Sequence, residues 1–125
     1  MSMETEHRPW GNYIVFANNM VDNPKWQMKK LYINPGQAIS LQSHDHRDEY
    51  WTIMKGIGTV ELGNFHSGFE YKPVMPGTQL IIPRRTLHRI TNTDSLESLI
   101  ICEVQIGDKI EESDITRYED RYGRV

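Results

Sequence analysis

Short β-type runs, each closed by Gly, Pro, Asn or a charged turn, follow one another along almost the whole chain. Tyr13–Phe16 is one, and Gln27–Ile33 is a second that stops at Asn34, Pro35 and Gly36. Ala38–His44 and Glu49–Lys55 flank the charged turn Asp45–Asp48. Thr59–Leu62 ends at Gly63 and Asn64, Gln79–Ile82 ends at Pro83, and His88–Asn92 and Leu99–Gln105 follow. Runs this short, at this spacing, specify an all-β barrel or sandwich. No long segment has helical periodicity. The exception is Ser113–Tyr122, where Ser113 or Asp114 can cap a short helix, so a helical or irregular C-terminal segment is expected. The chain has 125 residues, which predicts one domain spanning 1–125.

Composition removes several classes of function. Hydrophobic residues are 38% and charged residues 25%, the balance of a soluble globular protein rather than a disordered one. A net charge of -3 provides no general attraction for nucleic acid. No apolar run is long enough to span a membrane, and the polar start MSMETEHRPW lacks the apolar region of a secretory signal. The single Cys102 has no internal disulfide partner, which fits a reducing cytoplasm. It lies in an apolar run and reads as a small buried hydrophobe.

Two stretches concentrate metal-binding chemistry: PGQAISLQSHDHRDEYWTIMKG, Pro35 to Gly56, and GTQLIIPRRTLHRITN, Gly77 to Asn92. Imidazoles, a carboxylate and an amide oxygen together suit a borderline divalent metal. Side chains two apart on a strand share a face, so Gln42, His44 and His46 compete for the same places if the strand stays regular. Parity alone leaves that choice open.

Both stretches resemble the paired motifs of the cupin superfamily. The first motif runs Gly, five residues, His, one, His, three or four, Glu, six, Gly. From Gly36, five residues lead to Gln42, one more to His44, four more to Glu49 and six more to Gly56. The register fits with Gln42 in the first His place; a His44/His46 pair would put the acid at Tyr50 or Trp51. In the second motif Gly77, Pro83, His88 and Asn92 match, with Arg85 in the place of a Gly. The resemblance implies a cupin double-stranded β-helix, or jelly-roll barrel. It also implies Gln42, His44, Glu49 and His88 as ligands of one divalent metal. Zinc is the first expectation, with manganese, nickel, cobalt and iron as alternatives.

An amide in the first ligand place is similar to the zinc site of phosphomannose isomerases rather than to the His-rich sites of cupin oxygenases. Further segments agree: RPWGNY at Arg8–Tyr13, SLQSHDHR at Ser40–Arg47, EVQIG at Glu103–Gly107 and DITRYEDRYGR at Asp114–Arg124. They resemble the type II mannose-6-phosphate isomerases, often found as the C-terminal cupin domain of bifunctional isomerase/mannose-1-phosphate guanylyltransferase proteins. Tyr50, Arg85 and the stretch GDKIEESD depart from that family's usual pattern. No nucleotidyltransferase domain accompanies the cupin, so guanylyl transfer is not expected. The resemblance implies interconversion of mannose-6-phosphate and fructose-6-phosphate, supplying precursors for polysaccharide, by a homodimer.

Such a reaction moves a proton between two carbons through an enediol and needs a base near them. His46 has suitable parity and an intrinsic pKa near neutrality. Glu103 is an acid in an apolar run, where burial would raise its pKa. The competing readings are a solvated turn residue for His46 and an outward strand position for Glu103. A sugar phosphate also calls for Arg forks. Arg89, beside a ligand, and Arg117, in the family-like segment, are favoured over Arg47, Arg84 and Arg85. Trp51 shares parity with Glu49 and can wall the pocket; Trp10 and Trp26 read as core or rim residues. Two alternatives remain: a non-catalytic metal-containing cupin that binds a sugar or sugar phosphate, and a cupin oxygenase.

Overall fold

The computed structural model describes residues 4–125 and consists of two antiparallel sheets facing each other. Its strands are β1 (Thr5–Arg8), β2 (Gly11–Asn19), β3 (Lys25–Ile33), β4 (Leu41–Ser43), β5 (Arg47–Lys55) and β6 (Gly58–Asn64). They continue with β7 (Gly68–Val74), β8 (Gln79–Ile82), β9 (Leu87–Asn92), β10 (Leu99–Gly107) and β11 (Thr116–Glu119). One sheet has the order β1-β2-β3-β10-β5-β8 and the other β11-β4-β9-β6-β7. The all-β expectation holds. Among the described residues no helix is long and apolar enough to cross a membrane.

Period-2 alternation places the side chains. Along β10, Leu99, Ile101, Glu103 and Gln105 face inward and are buried, while Ile100, Cys102 and Val104 face the other way. Its neighbours keep the same phase. Leu99 lies opposite Ile33, Ile101 opposite Leu31 and Ile53, Glu103 opposite Lys29 and Trp51, and Gln105 opposite Gln27 and Glu49. Each strand therefore carries apolar inward residues at one end and polar ones at the other. Ile33, Ile53, Val60, Ile90, Leu99 and Ile101 pack the apolar end, while Ile82 lies opposite Glu49. At the polar end Gly107 lets β10 close on the start of β5: a Cβ there would collide with the His46 backbone carbonyl.

The C-terminal helical expectation is overturned. Thr116–Glu119 is strand β11, pairing antiparallel with β4 through Thr116–Ser43 and Arg117–Gln42. The short β4 would otherwise be a sheet edge with unpaired backbone groups, and β11 satisfies them. The expected run Ala38–His44 is also shorter. Regular strand occupies only Leu41–Ser43, with an isolated bridge from Ala38 to Thr91. Strands β1 and β7 were invisible to pattern reading because their side chains are mostly exposed, so neither shows a buried face.

Candidate metal centre

Three strands and one turn deliver the centre. Gln42 on β4 lies directly across from His88 on β9, and Glu49 comes from the inward face of β5. His44 sits one residue beyond the end of β4. Ligand atoms of His44, Glu49 and His88 all lie within 4.8 Å of one another. These three residues are 3%, 1% and 0% exposed.

Hydrogen bonds fix how the rings present themselves. His88 Nδ1 donates to the Thr86 carbonyl at 3.0 Å, and His44 Nδ1 donates to the Asp114 carbonyl at 2.6 Å. Both rings thus turn an Nε2 lone pair inward. His44 Nε2 is 3.3 Å from Glu49 Oε2, and His88 Nε2 is 3.5 Å from Glu49 Oε1. With its proton on Nδ1, His88 cannot donate to that carboxylate, and its buried Nε2 has no hydrogen-bond partner among the described residues. Burial, together with the positive Arg47 and the nearby His88, lowers the His44 pKa to about 4 despite the opposing Glu49, so the ring is neutral at pH 7. Against the cost of its own burial, Glu49 is held well below the usual carboxylate range, in part by the neighbouring Arg47 guanidinium.

Two inward-facing lone pairs and a carboxylate thus converge in a buried site. The donor set of two imidazole nitrogens and a carboxylate fits a borderline divalent metal. Gln42 stands beside it, with Nε2 3.3 Å from His44 Nε2 and Oε1 accepting from Ser40 Oγ at 2.7 Å. Rotating the amide by half a turn would bring its oxygen to the same place. His44, Glu49, His88 and Gln42 would hold the metal.

Supporting groups orient the carboxylate. Arg47 Nε donates to Glu49 Oε2 at 3.0 Å and Nη1 donates to the Glu111 carbonyl at 3.2 Å. Trp51 Nε1 donates to Glu49 Oε1 at 3.2 Å, and its ring meets His88 edge-on. Trp51 therefore lies under the carboxylate, not along the cavity wall where its parity had suggested.

A cavity of about 110 Å³ opens beside Glu49. Arg47, Glu103 and Arg117 line it together with Gln42, His44 and Glu49. Glu103 is fully buried. Desolvation and the neighbouring Glu49 charge push its pKa up to about 7, only partly offset by Lys29, Arg47 and the Gln105 amide, which donates to it at 2.7 Å.

Two expected site residues lie elsewhere. His46 is not on the ligand face, because the strand stops at Ser43 and the Asp114 carboxylate accepts the backbone N–H groups of Asp45 and His46. The chain turns there, and the His46 ring points outward to Asp108 at 3.3 Å. Arg89 follows an inward residue on a regular strand and so faces out, where its guanidinium donates to both Glu61 oxygens at 2.9 and 3.1 Å. Tyr50 also faces out. Arg85, in the Gly place of the second motif, has φ 66 and donates its N–H to the His44 carbonyl.

Arg8, Tyr13, Lys29, Glu112 and Arg124 line the cavity without having been singled out as site residues. Lys29 was legible in principle, since it shares parity with Leu31 and Ile33 on β3. Glu112 was not, because its place depends on how the loop after β10 crosses the barrel mouth.

The family model described as mannose-6-phosphate isomerase C-terminal matches residues 1–120 of the chain. The mannose-1-phosphate guanylyltransferase ManC of Salmonella typhimurium is 33% identical over 95% of this chain and 23% of its own length. The alginate biosynthesis protein AlgA of Pseudomonas putida is 36% identical over 95% of this chain and 22% of its own. The chain thus spans less than a quarter of these relatives. Among solved structures, the capsular polysaccharide assembling protein CapF of Staphylococcus aureus superposes with a TM-score of 0.78 at 14% identity, over 96% of this chain and 33% of its own. An oxalate decarboxylase of Bacillus subtilis superposes with a TM-score of 0.75 at 14% identity, over 98% and 32%. At that identity the likeness speaks for the cupin fold alone.

Proposed function

The chain belongs to the mannose-6-phosphate isomerase C-terminal family of cupin domains, and we propose that it interconverts mannose-6-phosphate and fructose-6-phosphate at this centre. The observation that carries the reading is the juxtaposition of a buried His/Glu/His ligand set with the Glu103 carboxyl on one cavity.

A divalent cation, zinc in the first instance, would supply Lewis-acid stabilisation of negative charge developing on the sugar oxygens. Glu103 does the proton work. A carboxyl whose pKa lies near 7 exists in both protonation states at neutral pH, so it can take a proton from C2 of the aldose and return it to C1. Glu49 cannot share that task, because its oxygens are committed to Arg47, Trp51 and the ligand cluster. Gln105 steadies Glu103 through its amide. The apolar cavity walls Trp10, Leu31 and Ile39 limit water access to the intermediate.

The test is an NMR assay for fructose-6-phosphate formation, and for deuterium uptake from solvent, with zinc, manganese, cobalt, nickel or iron supplied. Turnover with at least one metal, lost in Glu103→Gln, is the expected result. Absence of both product and exchange with every metal would rule the isomerase out. Saturable metal and sugar-phosphate binding in that case would identify a binding module.

A further inference from the structure

The cavity is lined by more cationic than anionic side chains. Arg8, Lys29, Arg47, Arg117 and Arg124 all line it. Two are committed: Arg47 to Glu49, and Arg124 to both oxygens of Asp120 at 2.8 and 2.9 Å. Two of the others, Arg8 and Lys29, converge with the Tyr13 hydroxyl on a single carboxylate, Glu112. Lys29 Nζ donates to Glu112 Oε2 at 2.7 Å, Tyr13 OH donates to Oε1 at 2.9 Å, and Arg8 Nη2 lies 3.8 Å from Oε1. Arg117 Nε is out of solvent and has no acceptor among the described residues.

We propose that Arg8, Lys29, Arg117 and the Tyr13 hydroxyl form a subsite for a phosphate monoester, and that Glu112 is an internal anion that holds it until substrate arrives. The assignment to a sugar phosphate rests on the isomerase reading; the subsite itself rests on the charge arrangement.

The exchange is physically sensible in both directions. The Lys29 side chain is 6% exposed, so leaving it without an anion would be costly. The Glu112 side chain is 52% exposed, so its carboxylate can rotate into water at little cost. The backbone need not move with it, because the loop is pinned on either side by the Glu111 carbonyl on Arg47 and by Asp114 on His44, Asp45 and His46. A dianion with three acceptor oxygens can satisfy Lys29, Tyr13 and the Arg forks at once, including Arg117 Nε, which a single carboxylate does not reach. Crowding by burial and by Arg124 already depresses the Arg117 pKa, as expected of a cation short of anions. The present cavity of about 110 Å³ is smaller than the ~300 Å³ and upward of typical ligand sites. Departure of Glu112 would enlarge it at the phosphate end.

The test is a binding titration, independent of turnover, in chloride buffer free of phosphate and sulfate. Inorganic phosphate, mannose-6-phosphate and mannose are titrated into wild type, Glu112→Gln, Arg117→Ala and Arg8→Gln, with dissociation constants read by 31P NMR for the phosphates and calorimetry for mannose. Removing the internal competitor in Glu112→Gln should tighten both phosphates about five- to tenfold and leave mannose unchanged. Arg117→Ala and Arg8→Gln should weaken both phosphates, with thermal melts confirming folded protein. Phosphate affinity within twofold of wild type in Glu112→Gln, or weaker, overturns the proposal, as does absence of saturable phosphate binding in both proteins. The expected pattern in a chain without isomerase turnover would leave the subsite standing and reject the reaction.

Discussion

The two ends of the barrel are built from the same strands in the same phase and differ only in what stands at the inward positions. Toward one end, β3, β5 and β10 place Ile33, Ile53, Leu99 and Ile101 inside; toward the other they place Lys29, Glu49, Glu103 and Gln105. Each fully buried aliphatic at the first end stabilises the fold by roughly 1.5–3 kcal/mol. The second end works against the fold, because buried charges cost several kcal/mol each until paired, and pairing restores little more than the loss. The apolar end supplies the stability that lets the polar end hold lone pairs and a raised carboxyl out of water. The difference shows that strand alternation selects which side chains face inward, while position along the strand selects whether they hold the fold or do chemistry.

His88→Ala should separate the two ends most sharply. Stoichiometric metal binding, measured by elemental analysis after purification without chelator, is expected to vanish with the fold retained by circular dichroism. Full metal content in this variant would remove the site. Leu99→Ala, at the opposite end, should do the reverse: a loss of about 2–5 kcal/mol in denaturant unfolding with metal content preserved. Parallel loss of metal would mean the two ends are not separable.

Glu103→Gln should reduce turnover by about two orders of magnitude while leaving metal content intact. Its carboxyl has a folded pKa of about 7 against an ordinary value of 4.5. The sign follows: its contribution to stability is fully present below 4.5 and is lost as pH rises through about 7. Wild type should lose stability over that window relative to Glu103→Gln, and turnover should rise over it as the base ionises. Parallel stability curves for the two proteins would place the raised carboxyl elsewhere.

Smaller effects test the outer surface. Arg85→Gly should relieve a left-handed backbone that a side chain disfavours, raising stability by about 1 kcal/mol in thermal unfolding. Arg89→Ala should cost at most about 1 kcal/mol through its half-buried pair with Glu61 and leave the mannose-6-phosphate dissociation constant unchanged. A large loss of affinity would return Arg89 to the site from which its outward direction excludes it.

The architecture was legible because turn residues and β-type runs are local signals. The four candidate metal ligands followed from the resemblance to the paired cupin motifs, and the structure places all four side by side. The misplaced expectations have separate causes. His46 follows the parity of Gln42 and His44 only if the strand continues, and Asp114, far away in sequence, ends it by capturing two backbone N–H groups. Ser113–Tyr122 had helix-capping chemistry, yet pairing with β4 outweighed it. Arg89 was favoured for its nearness in sequence to His88, although on a strand adjacent residues face opposite ways.

The chain's local chemistry thus accounts for the strands, the two motifs and the ligand types, since period-2 alternation and turn preference act over a few residues. The positions of Glu103, Lys29, Glu112 and Arg117 around one cavity were set by the sheet register and by a loop crossing the barrel mouth. Those depend on pairings as distant as Tyr13 with Glu112, ninety-nine residues apart, and no local pattern encodes them.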